Sequence, residues 1–269
     1  MQDSLNLLPK LVMNTSYLAP RSYVVIPARL GSTRLPRKML LAETGMTLIE
    51  HTYAAACGAR LPDGVVVATD SPLIAEVIER SHGDALITSP QCASGTDRVA
   101  EAAAALPDAD ILVNLQGDEP EMAASAVDQV IELLHANPDA PMATLATPIR
   151  DPAQLTDPAC VKVVFDDAGR AMYFSRSAIP FVRDTAEFDI KSEPPLYYLH
   201  LGIYAYRRDF LLNLAKLPPS RIEQAEKLEQ IRVLQAGHSI IVGVTEHSSS
   251  GIDTPEDYAA FVARCRRAA

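Results

Sequence analysis

The segment 24–41, VVIPARLGSTRLPRKMLL, concentrates Arg29, Arg34, Arg37 and Lys38, with no acid between Arg21 and Glu43. This runs against the rest of the chain, whose 34 Asp and Glu outweigh 24 Lys and Arg for a formal net charge of -10. Gly31, Ser32 and Thr33 add backbone and hydroxyl donors among the cations. Cations beside small donors neutralise and cradle the oxygens of a triphosphate. A solvated basic turn is the plainer alternative, and charge segregated this sharply weighs against it. The sequence has no G-x-G-x-x-G after its first strand and no G-x-x-x-x-G-K-[ST], which argues against a dehydrogenase and a P-loop kinase.

Two acids are candidates to face that loop. Asp118, in QGDEP, follows the apolar run ILVNL and so stands at a strand's carboxyl end. Asp253 follows SIIVGV and a short polar stretch, just ahead of a helix start, a position that can return it to the same crevice. Carboxylates there suit Mg²⁺, which takes a few protein oxygens and completes its shell from phosphate and water. An exposed turn acid at 118 and helix-start chemistry at 253 are the simpler readings. Alternation along an extended chain turns Glu119 away, and it is left out of the site.

These residues need a sheet to carry them. Short β-branched runs at 23–26, 65–69, 85–88, 111–115 and 142–147 alternate with amphipathic patterns at Leu48–Ala59, Pro72–Ser81, Asp97–Ala105 and Ala123–Leu134. The βαβα order predicts a parallel sheet whose strands are buried on both faces. Ser71 with Pro72, and Thr254 with Pro255, Glu256 and Asp257, mark helix starts. VKVVF, AMYFS and LHLGIYAY read as a β-rich subregion at about 160–206, broken by the charged stretch FVRDTAEFDIKSEPPL. Helices are then expected at Asp209–Leu214 and Ile222–Gln235, followed by the strand SIIVGV and a last helix from Pro255 to about Arg267.

A chain of 269 residues can bury a substantial core. No apolar run approaches the roughly 20 residues that span a bilayer, so no membrane insertion is expected. The negative charge argues against nucleic acid as a partner. Cys57, Cys92, Cys160 and Cys265 form no C-x-x-C pair, which fits reduced thiols in a cytoplasmic setting. Residues 1–22 lack the pattern of a signal peptide and read as an N-terminal extension, a mobile tail ahead of one domain at 23–269.

The basic segment resembles the N-terminal signature of the 3-deoxy-manno-octulosonate (Kdo) cytidylyltransferase family. SGTDRVAEA at 94–102, VNLQGDEP at 113–120, VKVVFDDAGRAMYFSRSAIP at 161–180, HLGIYAY at 200–206, EKLEQIRVL at 226–234 and GIDTPED at 251–257 follow in the family's order. Arg37 and Met39 depart from it, standing where the family has glycine and proline. The resemblance implies a Rossmann-like α/β nucleotidyltransferase with a mainly parallel central sheet and a smaller inserted β-rich dimerisation subregion. It implies transfer of CMP from CTP to Kdo in lipopolysaccharide biosynthesis, with pyrophosphate released, Mg²⁺ as cofactor and a homodimeric assembly.

By the same resemblance, Arg29, Lys38, Asp118 and Asp253 are catalytic, and the two aspartates hold the metal. Ala28, Arg29, Ser32, Thr33, Lys38, Ser94, Gly95, Thr96, Arg98 and Gln116 bind the nucleotide. Arg34, Gln116, Arg176, His200, Tyr204, Glu226 and Gln230 bind the sugar acid, for which a cation must meet the carboxylate. Taken singly, Ser94 reads as an N-cap, His200 as a structural histidine and Glu226 as a solvated helix charge. Phe174, Ile179 and Phe181 supply a candidate dimer surface, with internal packing as the alternative. The rivals to this reading are an 8-amino-Kdo or sialic acid acceptor, and a nucleotide-binding module without turnover, which would need no acidic pair.

Overall fold

The structure is a computed structural model that describes residues 20–183, 189–247, 249 and 251–268; residues 1–19 of the extension and 184–188 of the charged stretch lie outside the described residues. The sheet strands are β1 (Ser22–Ala28), β2 (Gly64–Thr69), β3 (Asp84–Ile87), β4 (Ile111–Leu115), β5 (Met142–Pro148), β6 (Lys162–Phe165), β7 (Ala171–Ser175), β8 (Tyr198–Arg207) and β9 (Ile240–Val244). The helices are α1 (Leu48–Cys57), α2 (Pro72–Arg80), α3 (Gly95–Ala104), α4 (Ala124–Ala136), α5 (Pro152–Thr156), α6 (Arg208–Leu214), α7 (Arg221–Glu226), α8 (Gln230–Gln235) and α9 (Pro255–Ala268).

The strands run in the order β3-β2-β1-β4-β8-β5-β9, and β6 with β7 forms a hairpin attached to β8 through Lys162 and Leu199. Pairings β1–β2, β2–β3, β1–β4 and β5–β9 are parallel. Side chains alternate along β1: Val24 and Ile26 enter one apolar layer with Ile49, Ile74 and Ile131, and Val25 enters the other with Val99, Leu211 and Ile231. Helices thus cover both faces, as a parallel sheet requires.

Several expectations change. β8, grouped from sequence with the β-rich subregion, lies in the central sheet antiparallel to both β4 and β5, leaving the β6–β7 hairpin as the appended part. β3 is an edge strand with no fully buried residue, because among the described residues no strand pairs on its far side. Ser71 occupies the N-cap of α2, but its hydroxyl makes no capping bond. Phe174 is fully buried in the core, so it serves internal packing and not a dimer surface, whereas Phe181 is 85% exposed.

The helix expected over Ile222–Gln235 is split into α7 and α8. Lys227 takes a left-handed conformation (φ 55°, ψ 47°) between them. The Glu226 carboxylate accepts from Ser175 Oγ (2.7 Å) and from the Arg176 N–H (3.0 Å), and its carbonyl accepts from Arg176 Nε (2.7 Å). These contacts from β7 and the residue after it hold the turn where the pattern of side chains alone would continue a helix.

Candidate active site

From β1 the chain winds outward through β2 and β3, while β4 lies on the other side of β1. The loops after β1 and β4 therefore part at a topological switch point, where open α/β sheets hold their ligands. Two apolar side chains pin the basic loop. Leu35 packs with Ile252, Tyr258 and Phe261, and Met39 enters the main core, which leaves Arg29 and Arg34 exposed. Arg37 adopts φ 53° and ψ 31° just before the 3₁₀ turn Lys38–Leu40. Glycine takes that conformation without steric penalty, which accounts physically for the preference that Arg37 breaks.

Asp70, at the carboxyl end of β2, was not singled out from sequence. Its Oδ1 accepts from the Leu30 N–H (3.3 Å), and its Oδ2 pairs with Arg98 Nη2 (3.2 Å). Arg98 is buried and also donates to Thr88, so it braces the basic loop against α3. Ser94 caps α3 by accepting from the Asp97 N–H (3.1 Å). Gly117 lets β1 and the turn after β4 approach closely, because a Cβ there would stand in tight contact, 3.0 Å, with the Pro27 carbonyl oxygen.

The acidic pair converges. Since β8 is antiparallel to both β4 and β5, β5 is parallel to β4, and β9 is parallel to β5; the carboxyl end of β9 opens on the same edge as that of β4. The Ile252 N–H donates to the Asp118 carbonyl (2.8 Å), joining the two segments. Asp257, in the first turn of α9, accepts from the backbone N–H groups of Asp253 (3.1 Å) and Thr254 (2.9 Å). Between the two aspartates lies the ammonium of Lys38, 2.5 Å from Asp118 Oδ2 and 2.8 Å from Asp253 Oδ1. Burial alone would lower the Lys38 pKa, but both carboxylates outweigh it and hold it above the usual lysine value. Arg34 reaches the other oxygen of Asp253 at 2.9 Å.

Two cavities meet at this point. The smaller, about 410 Å³, is lined by Ala28, Arg29, Ser32, Thr33 and Lys38 on one side and by Ser94, Gly95 and Arg98 on the other. The larger, about 760 Å³, takes in Thr96, His200, Tyr204 and Gln230. Arg34, Gln116, Asp118 and Asp253 line both. Cys92 also lines the smaller cavity, but burial, with Glu101 beside it, pushes its thiol up to about 11 and keeps it protonated.

In the larger cavity, Glu119 is a lining residue that sequence reasoning missed. Its N–H donates to the Gln116 carbonyl (3.1 Å), so the chain has left extended geometry and strand alternation no longer applies; Gly117 and Pro120, which bracket a turn, were the available signal. Burial raises the Glu119 pKa to about 7. Its Oε2 and Gln230 Nε2 are buried without hydrogen-bond partners among the described residues, and both residues line this cavity, as does Ser249, whose hydroxyl pairs with Glu119. Stranded polar atoms in one cavity mark where a ligand rich in hydroxyls can supply the missing bonds. Arg176 and Glu226 line neither cavity and brace each other instead.

His200 is buried between Phe174 and Tyr204, and burial lowers its pKa to about 3. Thr144 Oγ1 donates to the Ile203 carbonyl (2.7 Å) and lies 3.0 Å from His200 Nε2; having one proton, it receives the Nε2–H, which leaves Nδ1 as an acceptor. The folded pKa lies below the ordinary 6.5, so the unfolded chain binds the extra proton. This contribution to stability is complete above pH 6.5 and is lost as pH falls toward 3. It amounts to about 1.4 kcal/mol per pH unit. Urea unfolding at pH 7 and pH 5 should show this loss in the wild type and a smaller one in His200→Gln. Equal losses would contradict the assignment.

Comparison with known proteins points in one direction. A family profile described as Cytidylyltransferase matches residues 23–240. The chain is 48% identical over 242 residues to the 3-deoxy-manno-octulosonate cytidylyltransferase of Rhodopirellula baltica, covering 90% of this chain and 97% of that one. It is 45% identical over 237 residues to the 8-amino-3,8-dideoxy-manno-octulosonate cytidylyltransferase of Shewanella woodyi, covering 87% and 94%. A solved structure of CMP:2-keto-3-deoxy-manno-octonic acid synthetase complexed with CTP superposes with a TM-score of 0.85 at 39% identity, covering 93% of this chain and 100% of that one.

Proposed function

This chain belongs to the cytidylyltransferase family, and from that premise we propose that it transfers CMP from CTP to Kdo, releasing pyrophosphate. The observation that carries the reading is the Lys38-bridged pair Asp118 and Asp253, placed where a cation-lined cavity meets a polar one. CTP occupies the smaller cavity, its phosphates against Arg29, Ser32, Thr33 and Lys38. The acceptor occupies the larger. Its anomeric hydroxyl oxygen attacks the α-phosphorus in line, the bond from that phosphorus to the pyrophosphate oxygen breaks, and the hydroxyl proton is released. Arg29 and Lys38 stabilise the charge that gathers on the departing phosphates.

The aspartate pair fits a resident Mg²⁺. Both carboxylates already converge on one cation, the Lys38 ammonium. Among the described residues no cluster of three or more His, Cys, Asp and Glu could hold a metal alone, so the remaining ligands would come from phosphate and water, as Mg²⁺ prefers. When bound by Asp118 and Asp253, Mg²⁺ supplies positive charge to the phosphates and acidifies the attacking hydroxyl.

Among the described residues no helix is long and apolar enough to cross a membrane. A homodimer in the cytoplasm belongs to the same reading, with the exposed Met172 and Phe181 as its apolar surface. An 8-amino-Kdo acceptor is a second reading, favoured by Asp157, Glu229 and Asp257 on the larger cavity's wall, which suit an ammonium group. The test is pyrophosphate release from CTP and Mg²⁺ with Kdo, 8-amino-Kdo and a sialic acid in parallel. Turnover with Kdo at the highest kcat/KM is expected. Activity confined to the amino sugar would replace the first reading with the second, and tight CTP binding with no product from any acid would reduce the protein to a binding module.

A further inference from the structure

We propose that Asp70, which lines neither cavity, is a positioning residue that sets the spacing between the two walls of the smaller cavity, so that one CTP molecule engages both. The inference rests on the CTP reading above and is independent of which sugar acid accepts the nucleotide.

The walls come from separate parts of the chain. The basic loop after β1 forms one, and Ser94, Gly95 and Arg98 at the start of α3 form the other. A nucleoside triphosphate carries its phosphates and its base at opposite ends. It gains from both walls together only when they stand at the separation that the molecule spans. One carboxylate connects them. Asp70 Oδ1 accepts from the Leu30 N–H (3.3 Å), beside Arg29 of the first wall, and Oδ2 accepts from Arg98 Nη2 (3.2 Å) of the second.

The sheet register places that carboxylate. β1, β2 and β3 are parallel neighbours in which Ala28 pairs with Thr69 and Thr69 with Ile87, so Leu30, Asp70 and Thr88 leave three adjacent strand ends on one edge. The Thr88 N–H donates to the Thr69 carbonyl (2.8 Å), and Thr88 Oγ1 accepts from Arg98 Nη1. The Arg98 guanidinium is thus gripped by groups from two strand ends, and both Arg98 and Thr88 are buried. Leu35 and Met39 anchor the far part of the basic loop in apolar clusters, while Asp70 holds the near part through the backbone of Leu30. The chemistry of the link is specific to a carboxylate, whose two oxygens both accept. An asparagine has one acceptor oxygen and can serve only one wall.

Calorimetry of the full chain with Mg²⁺ and no sugar acid tests this, with CTP, CMP and inorganic pyrophosphate as three separate probes. In Asp70→Asn the Kd for CTP should rise about ten- to hundredfold, the range expected for a lost hydrogen bond to a charged group. The Kd values for CMP and pyrophosphate should each stay within about threefold, because each fragment needs only one wall. A merely structural aspartate would weaken all three ligands alike. Asp70→Glu keeps the charge and both acceptors but lengthens the link by one methylene, so it too should weaken CTP more than either fragment, by a smaller factor. If Asp70→Asn does not fold, as circular dichroism would show, the comparison is made on Asp70→Glu. A CTP affinity within twofold of wild type in folded Asp70→Asn, or an equal penalty for CTP and either fragment in the variant compared, would overturn the proposal. A wild-type protein that binds no CTP would instead remove the nucleotide reading, and this proposal with it, before any variant is compared.

Discussion

Asp118→Asn is expected to lower kcat at least a hundredfold while the protein stays folded. The substitution keeps size and shape but removes half of the anionic pair that faces the cation-lined loop. Asp253 alone then holds the cation position, and the other half of the pair offers a neutral amide. Loss of one preorganised charge at a reacting phosphate typically costs about 10²–10³ in turnover. The fold should survive, because the Asp118 contact that joins two segments uses its carbonyl, which accepts from the Ile252 N–H (2.8 Å) and does not depend on the side chain. Circular dichroism, pyrophosphate release and Mg²⁺ titration by calorimetry together check this. Wild-type turnover in a folded variant would show that Asp118 lies outside the chemistry, and unchanged Mg²⁺ affinity would remove it from the metal site.

Lys38→Met is expected to do two separable things. Turnover should fall by a comparable factor, because in the proposed reaction the Lys38 ammonium stabilises the departing phosphates. Stability without Mg²⁺ should also fall, because Asp118 and Asp253 would face each other without the cation that now bridges them at 2.5 and 2.8 Å. Breaking a fully buried pair costs about 3–5 kcal/mol. The Asp118 side chain is 24% exposed and that of Asp253 41% exposed, and Arg34 remains on Asp253, so solvent screening reduces the expectation to about 1–2 kcal/mol. For a chain of this size that is a Tm shift of about 2–8 °C. Added Mg²⁺ should raise the melting temperature of Lys38→Met more than that of wild type, since a metal held by Asp118 and Asp253 as proposed would have to displace the wild-type lysine from both carboxylates. Thermal melts with and without Mg²⁺ read this directly. A variant that melts like wild type in both conditions would mean that the ammonium is not a stand-in for the metal.

The basic loop was legible in the sequence because its signal is local. Four cations, three small donors and a preceding apolar strand lie within one short segment, and the strand's burial follows from its composition. The position of Asp118 after the carboxyl end of a strand, and that of Asp253 just ahead of a helix start, were legible for the same reason. Less visible was whether side chains point into the site. Glu119 was turned away by an alternation rule that ends at Gln116, and Arg176 was assigned to the acceptor although its donors go to carbonyls 50 and 51 residues away in sequence.

By itself, the sequence determined most of the elements, the charge segregation of the basic loop, the family, and which acids could pair. It did so because helix periodicity, strand composition, charge segregation and capping are properties of near neighbours. Tertiary structure alone decided that β8 enters the central sheet antiparallel, which makes β5 and β9 run with β4 and brings Asp253 to Asp118. It also decided that a lysine sits between them, that Lys227 takes a left-handed turn beside Arg176, and that two polar atoms, Glu119 Oε2 and Gln230 Nε2, lack partners among the described residues. Those outcomes depend on contacts between residues far apart in the chain. No local preference encodes them, and they form only when the sheet closes around its core.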